Sequence, residues 1–344
     1  MRKVIINMKS IKKTKDNKGI TLIALVITII VLLILAGITI ATLTGNNGIL
    51  TRANEAKKAT TEADAIESVK IEVMGSYGTD GNIDIVSLQE NLRNIKGLES
   101  VEVSNLPKVI NVDNNSIVIE KDGNVIIGDL LENAITNKTI YSKNTVLIDK
   151  YNNKIMVPAG FKVDSASPDN VAEGIVIEDA TYINTIGSQF VWIPVGKVND
   201  AEKVETITLA RYTFASDGKP SAYSGNFTED TEENHDSRYG NKIAKDIEDF
   251  KTKAINSSGY WIGRYEARKE NDNLVCKYDK SIYSRVIQSQ ASALSQNMYK
   301  DTSFTSDLVN SYAWDTAIVF IQTFSGDTDY SKQKHRTNSR WKNL

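Results

Sequence analysis

A run of 26 residues without a charged side chain, residues 20–45, constrains most strongly what this chain can fold into. As an α-helix it would be about 39 Å long, enough to cross a hydrocarbon core of about 30 Å. A helix of this length in a soluble core normally carries a polar stripe, whereas only threonines interrupt the apolar residues here. A threonine hydroxyl can bond to the carbonyl oxygen four residues earlier. The segment therefore predicts a transmembrane helix over residues 20–45.

The charges before this segment predict its orientation. Residues 1–19 contain seven basic side chains and one acidic side chain, and basic segments beside a membrane helix stay cytoplasmic. We therefore expect a single-pass protein of the cell membrane, with a cytoplasmic leader over residues 1–19 and the bulk of the chain outside. A cleaved secretory signal is the alternative, but its apolar region spans about 7–15 residues and precedes an A-x-A-like site, which is missing here.

The junction between the leader and the apolar segment has a distinctive sequence, made of Lys18, Gly19, Ile20, Thr21, Leu22, Ile23 and Ala24. It resembles the prepilin-type signal of type IV pilins and pseudopilins. The resemblance implies that a membrane-embedded prepilin peptidase cuts between Gly19 and Ile20 and that the new amino terminus is methylated. The apolar helix then stays on the mature protein.

One position departs from this pattern, because Ala24 stands where the family usually carries Glu. In the family that carboxylate pairs with the amino terminus of a neighbouring subunit, and an unpaired carboxylate in lipid is costly. Its absence puts assembly into a filament body in doubt. It favours a minor or tip subunit, or a pilin-like protein that remains in the membrane.

Residues 46–75 are predicted to continue the helix outside the membrane. Their apolar residues recur at spacings of three and four, at Ile49, Ala53, Ala56, Ala59, Ala63, Ile66, Val69 and Val73. This pattern is typical of an amphipathic helix whose stripe of small residues packs on another element. Gly45 and Gly48 predict a kink, since each glycine costs about 1 kcal/mol relative to alanine. The long helix resembles a pilin spine, and a plain signal anchor with a stalk is the alternative.

Residues 76–135 are predicted to form a small α/β head. A short helix over residues 83–92 has Asp84 or Ser87 as its cap. Alternation around Val101 and Val103 predicts a strand. Residues 116–127 predict a β-hairpin, because an Asp-Gly turn joins two apolar runs.

Residues 136–344 are predicted to form a β-rich domain. Residues 154–163 are expected to form a strand, a turn and a second strand, and further strands are expected over residues 174–179, 188–196 and 258–267. A helix is expected over residues 311–324, with Ser311 as its cap. Five aromatic residues could line a ligand groove, although most of them should be core: Trp192, Tyr260, Trp261, Tyr265 and Trp314.

Three of these segments resemble the formylglycine-generating (sulfatase-modifying factor) family, a variant of the C-type lectin fold. The similar motifs are an F-V-W-I-P strand at residues 190–194, an I-G-R-Y-E strand at residues 262–266 and Trp314-Asp315 in the helix. The family's later motifs and its catalytic cysteine pair are missing. We therefore expect an incomplete domain in which the enzyme chemistry of the family does not carry over.

The composition excludes several other classes of protein. Cys276 is the one cysteine, so there is no internal disulfide framework or cysteine-cluster metal site, and its apolar surroundings indicate a small strand residue. The acidic group Glu229, Asp230, Glu232, Glu233 and Asp236 could attract Ca²⁺, but it lacks EF-hand spacing and favours a solvated loop. Without the leader, 34 basic and 42 acidic residues remain, a net charge of −8, which disfavours nucleic-acid binding.

The overall expectation is an α+β protein. A long transmembrane and amphipathic helix packs on a small antiparallel β head, and a β-rich, lectin-like domain follows. The predicted function is a non-enzymatic, pilin-like surface protein without a cofactor, a minor pilin or adhesin. Its expected partners are membrane lipid, prepilin peptidase, other pilin-like subunits and a surface carbohydrate or protein. The alternatives are a pseudopilin of a secretion or DNA-uptake system and a membrane-anchored sulfatase-modifying-factor-like protein.

Overall fold

The computed structural model describes residues 26–34, 49–224, 247–278 and 281–326. The chain divides into two compact units, Met1–Ala63 and Asp64–Leu344. In the first unit, residues 26–34 are helical with exposed side chains, and Thr60 and Thr61 donate hydroxyl hydrogen bonds to carbonyls one turn earlier. The predicted glycine kink near residues 45–48 lies outside the described residues.

The described chain contains six helices from residue 49 onward and fifteen strands. The helices are α1 (Ile49–Met74), α2 (Ile85–Leu92), α3 (Leu131–Asn137), α4 (Ile247–Asn256), α5 (Gln288–Asn297) and α6 (Ser311–Ser325). The first strands are β1 (Lys108–Val112), β2 (Asn115–Ile119), β3 (Val125–Leu130), β4 (Thr145–Ile148), β5 (Lys154–Val157), β6 (Phe161–Val163), β7 (Val176–Asp179) and β8 (Gln189–Pro194). The later strands are β9 (Gly196–Asn199), β10 (Val204–Ile207), β11 (Tyr212–Phe214), β12 (Pro220–Ala222), β13 (Gly259–Gly263), β14 (Arg268–Glu270) and β15 (Asn273–Val275).

The predicted membrane helix over residues 20–45 falls within the described residues only at 26–34. None of the helices in the described ranges combines the length and the apolar character that crossing a membrane requires.

Helix α1 lies within the predicted amphipathic segment, residues 46–75, and buries only the last part of the predicted stripe. Its buried side chains are Ala65, Val69 and Val73, one on each successive turn. The earlier members of the predicted stripe are exposed in this chain, since Ile49 is 70% exposed and Ala63 is also exposed. Hydrophobic periodicity located the helix, but only the packing partners show which turns are covered.

The head around the end of α1 follows the predicted order of a short helix and a hairpin. Asp84 caps α2, with its side chain accepting a hydrogen bond from the Ser87 amide at 2.7 Å. Strands β2 and β3 pair antiparallel around the Asp122-Gly123 turn. The strand predicted at Val101 and Val103 is wrong, because this stretch is irregular; the Val103 amide donates to the Gln89 side chain instead of to a strand.

One five-stranded sheet has the strand order β1-β2-β3-β4-β5. Its strands come from both sides of residues 135 and 136, where the two domains were expected to meet. Strands β3 and β4 pair in parallel, and the other neighbours in this sheet pair antiparallel. The buried side chains form two clusters. One contains the end of α1, α2 and strands β1–β3, and the other begins at Leu131.

The second cluster is built around a four-stranded antiparallel sheet in the order β13-β8-β7-β6. Ala254 of α4 and the apolar face of α6 belong to this cluster, which explains why the aromatic strand β13 is well covered. Three two-stranded ribbons, β9–β10, β11–β12 and β14–β15, complete the strands of the described chain. The fold is therefore mixed α+β with several antiparallel sheets, as predicted.

Two local predictions in this part need correction. Strand β13 ends at Gly263, so residues 264–267 are not strand. Helix α6 is capped by Asn310 instead of Ser311, since the Asn310 side chain accepts from the Ala313 amide at 2.9 Å. The cap position is one residue earlier than expected because Ser311 already has helical geometry.

Candidate functional site

The residues of the predicted processing signal lie outside the described part of the chain. They are Lys18, Gly19, Ile20, Thr21, Leu22, Ile23 and Ala24. The acidic group considered for Ca²⁺ (residues 229–236) also lies outside it. Within the described ranges, no group of three or more His, Cys, Asp or Glu side chains is arranged to hold a metal ion.

Three of the five predicted groove aromatics come together on strands β8 and β13. The rings of Trp192 and Trp261 are 4.9 Å apart, and Trp261 donates its indole hydrogen to the Met156 carbonyl at 2.8 Å. The Tyr260 hydroxyl donates to the Ala313 carbonyl at 2.6 Å, which ties β13 to α6. Trp192 is 1% exposed and Tyr260 is 9% exposed. Tyr260 therefore joins the four-stranded sheet to its covering helix, and Trp261 joins it to strand β5 of the five-stranded sheet. Trp192 and Tyr260 are too buried to line an open groove.

The other two aromatics lie apart from this group. Trp314 is on the outer side of α6 and is 43% exposed. The ring of Tyr265 lies 5.7 Å from that of Tyr278, and Arg264 lies over the Tyr265 ring at 5.6 Å. Because Tyr278 is 71% exposed, this tyrosine pair presents aromatic surface to solvent.

Beside the tyrosine pair, a row of polar side chains crosses the four-stranded sheet. Strand register pairs Lys162 with Glu178 and Glu178 with Gln189, while the Arg264 amide donates to the Gln189 carbonyl. Side chains on such a row project from the same face of the sheet. We call Lys162, Glu178, Gln189 and Arg264 the polar row.

The side chains of the polar row are joined end to end. Lys162 Nζ lies 3.0 Å from Glu178 Oε1, and Gln189 Nε2 donates to Glu178 Oε2 at 3.1 Å. Gln189 Nε2 also donates to Asp164 Oδ2 at 2.8 Å, and Arg264 Nη1 donates to Gln189 Oε1 at 2.9 Å. Neighbouring groups thus fix the orientation of each polar group. A half-buried row of oriented donors and acceptors beside exposed rings suits a ligand rich in hydroxyl or amide groups.

A second polar centre is buried among aromatic rings. Asp179 accepts hydrogen bonds from the Thr181 and Tyr182 amides and from the hydroxyls of Thr185 and Tyr299. Burial, followed by the neighbouring Asp179 charge, raises the pKa of Tyr299 well above its usual range. The phenol therefore stays protonated and donates to the carboxylate, which identifies a structural anchor for the segment after α5.

Cys276 has the properties of a structural residue, as its sequence context indicates. It is buried directly after β15, its amide donates to the Ser188 hydroxyl at 3.2 Å, and burial raises the pKa of its thiol to about 12. A thiol with so high a pKa holds almost no thiolate at neutral pH and is a poor nucleophile.

Sequence reasoning missed the polar row as a unit. Its residues come from four separate segments, and their alternation within short strands gives no information about which strands are neighbours. The motif at residues 262–266 did draw attention to Arg264 and Tyr265, but for a different reason. Glu266, the acidic residue of that motif, is exposed just beyond the strand.

Comparison with known proteins found no matching family model, no matching curated protein and no matching solved structure.

Proposed function

We propose that this chain is a pilin-like, membrane-anchored surface protein that is cut between Gly19 and Ile20 and displays a binding head outside the cell. The observation that carries the proposal is the sequence Lys18-Gly19 directly before the uncharged segment 20–45. The basic leader supports the orientation, since positive charge is retained on the cytoplasmic side. The helical residues 26–34 and helix α1 are compatible with a helical spine.

Ala24 makes a minor subunit, or a protein that stays in the membrane, the preferred form of this proposal. A glutamate in lipid is stable only when it is paired, and the pairing would draw a subunit toward the amino terminus of its neighbour. Alanine at this position provides no such attraction. The protein is therefore proposed to depend on its head, instead of on its buried helix, for specific contacts.

The test is intact-mass and amino-terminal analysis of the protein isolated in detergent from its native membrane. The expected result is a chain that begins at a methylated Ile20. A chain that begins at Met1 would leave an ordinary membrane anchor and contradict the processing. Gly19→Val should retain the leader, whereas the control Gly45→Val, at the other end of the uncharged segment, should be processed normally.

The polar row and its tyrosine pair, in the β-rich part of the chain after residue 135, are the proposed binding surface. Exposed rings can stack on the apolar face of a sugar while oriented amide and carboxylate groups bond to its hydroxyls. Tyr278→Ala should abolish retention of the detergent-solubilised protein on a glycan array. The control Tyr223→Ala, at another exposed tyrosine, should leave retention unchanged. Equal binding by both variants would show that the binding surface lies elsewhere on the protein.

A further inference from the structure

A buried carboxyl group brings an amide and an amine together between two turns of the five-stranded sheet. Glu120 lies directly after β2, and its side chain is 1% exposed. Asn124 Nδ2 donates to Glu120 Oε2 at 2.5 Å, and Lys154 Nζ contacts the same oxygen at 3.2 Å. The other carboxyl oxygen, Oε1, is buried and has no hydrogen-bond partner in the described structure.

The two turns hold this arrangement through their backbones. In the turn between β2 and β3, the Glu120 amide donates to the Asn124 carbonyl at 2.8 Å, and the Asn124 amide donates to Asp122 Oδ1 at 3.1 Å. This turn contacts the turn between β4 and β5, since Lys121 Nζ donates to the Lys150 carbonyl at 2.8 Å. The backbones of the two turns therefore hold Lys154 and Asn124 close to Glu120.

We propose that Lys154 and Asn124 are joined by an intramolecular amide bond that forms at Glu120 after the chain has folded. A neighbouring carboxyl group can move protons between two nitrogen atoms that both contact one of its oxygens. Holding the reacting groups together replaces a slow encounter in solution by a reaction within one molecule. Glu120 Oε1 has no other hydrogen bond among the described residues, so once the carboxyl has taken a proton from Lys154 this oxygen is free to polarise the carbonyl group of the Asn124 side chain.

The reaction balances without any oxidant or cofactor. Glu120 takes one proton from the Lys154 ammonium group, and the freed electron pair on Nζ forms a bond to Asn124 Cγ. A second proton passes from Nζ to Asn124 Nδ2 through the same carboxyl, and the Cγ–Nδ2 bond breaks to release ammonia. Ammonia takes up the proton left on Glu120 and departs as ammonium. Asn124 and the Lys154 side chain, which is 40% exposed, reach the carboxyl from the solvent side, which gives the ammonia a way out.

The experiment is mass spectrometry on the full-length chain, purified in detergent, denatured and digested with trypsin. Trypsin does not cut after an acylated lysine, so the bond would produce one branched peptide that joins residues 122–138 to residues 151–162. Its mass should be about 17 Da, the mass of one ammonia molecule, below the summed mass of residues 122–138 and an uncut 151–162. Both peptides lie far from Gly19, so the result is independent of processing at the amino terminus.

Matched variants separate the proposal from other reactions. Glu120→Gln and Lys154→Arg should each abolish the branched peptide, whereas Lys121→Arg, at the neighbouring lysine of the same turn, should retain it. Circular dichroism spectra matching that of the wild type would show that the variants fold. An unlinked peptide 122–138 from the folded wild type, together with cleavage after Lys154 into peptides 151–154 and 155–162, would overturn the proposal. A loss of about 17 Da that persists in Lys154→Arg would also overturn it, since it would indicate a cyclic imide at Asn124.

Discussion

At the scale of single residues, buried polar groups hold much of the second cluster in place. Asp179 is 0% exposed and yet accepts hydrogen bonds from two amides and two hydroxyls. A buried carboxylate is tolerable when its lone pairs are occupied in this way, and removing one donor leaves part of the desolvation penalty uncompensated. The Tyr299 hydroxyl is the most distant of these donors along the chain.

Tyr299→Phe should lower the free energy of unfolding by about 1–3 kcal/mol, because it removes the donor to Asp179 and retains the ring. Tyr278→Phe, at a tyrosine that is 71% exposed, should change stability by less than about 0.5 kcal/mol. Urea unfolding followed by circular dichroism measures both effects. Equal effects of the two substitutions would show that the hydrogen bond to Asp179 contributes little.

The Cys276 thiol should make stability depend on pH in the alkaline range. Burial raises its pKa to about 12 from an ordinary value of 9.0, so above pH 9 the unfolded chain loses a proton that the folded chain keeps. The free energy of unfolding should therefore fall by about 1.4 kcal/mol for each pH unit above that point. Below it, the thiol is protonated in both states and contributes no pH dependence.

The comparison of wild type with Cys276→Ala isolates this contribution, since buried tyrosines also titrate at high pH. The difference in the free energy of unfolding between the two proteins should be constant from pH 7 to about 9 and then change in the direction that favours the variant. A difference that does not change with pH up to about 10.5 would mean that the thiol is accessible to solvent.

At the scale of elements, substitutions at helix termini and on buried helix faces test the structure most directly. Asn310 provides the cap of α6, the helix that covers the four-stranded sheet. Asn310→Ala should destabilise the protein by about 1 kcal/mol, whereas Ser311→Ala should have an effect of a few tenths of a kcal/mol. Thermal unfolding of both variants measures the difference. A larger loss of stability with Ser311→Ala than with Asn310→Ala would indicate that Ser311 caps the helix, as the sequence predicted.

Helix α1 allows a similar test of its buried face. Val69 is 0% exposed, whereas Ile71, two residues further on, is 58% exposed. Val69→Ala should cost about 2 kcal/mol, because two buried methyl groups are lost and a cavity remains. Ile71→Ala should stay within about 0.5 kcal/mol in the same urea titration. The reverse order would place the opposite face of α1 against the head.

At the scale of the whole molecule, charge is the property with the broadest consequences. The full chain has 41 basic and 43 acidic residues, and removal of the leader would leave a net charge of −8. Affinity for nucleic acids comes mainly from neutralising phosphates with basic side chains, and a net negative chain has little to offer. We therefore expect the processed protein to show no shift of duplex DNA in an electrophoretic assay at about 0.15 M salt. Salt-sensitive binding in that assay would favour the DNA-uptake alternative.

Local patterns predicted much of the element order. Period-2 and period-3.6 runs located α1, α2, the β2–β3 hairpin and α6, because these depend on residues close together in the chain. The Asp-Gly turn and the Asp84 cap were also predictable, since each involves a side chain and backbone only a few residues apart. Val101 and Val103 were predicted wrongly because alternation alone does not supply a neighbouring strand.

By itself, the sequence determined the uncharged segment, the basic leader, the α+β class and the local turns, all of which arise from composition and short-range spacing. Only the tertiary structure decided which turns of α1 are buried, that Tyr260 joins a sheet to a helix while Trp261 joins two sheets, and that the polar row exists. It also brought Lys154 to Glu120 and Asn124. These arrangements depend on strand register and on contacts between residues far apart in the chain. No local sequence pattern identifies which distant residues form these stabilising contacts.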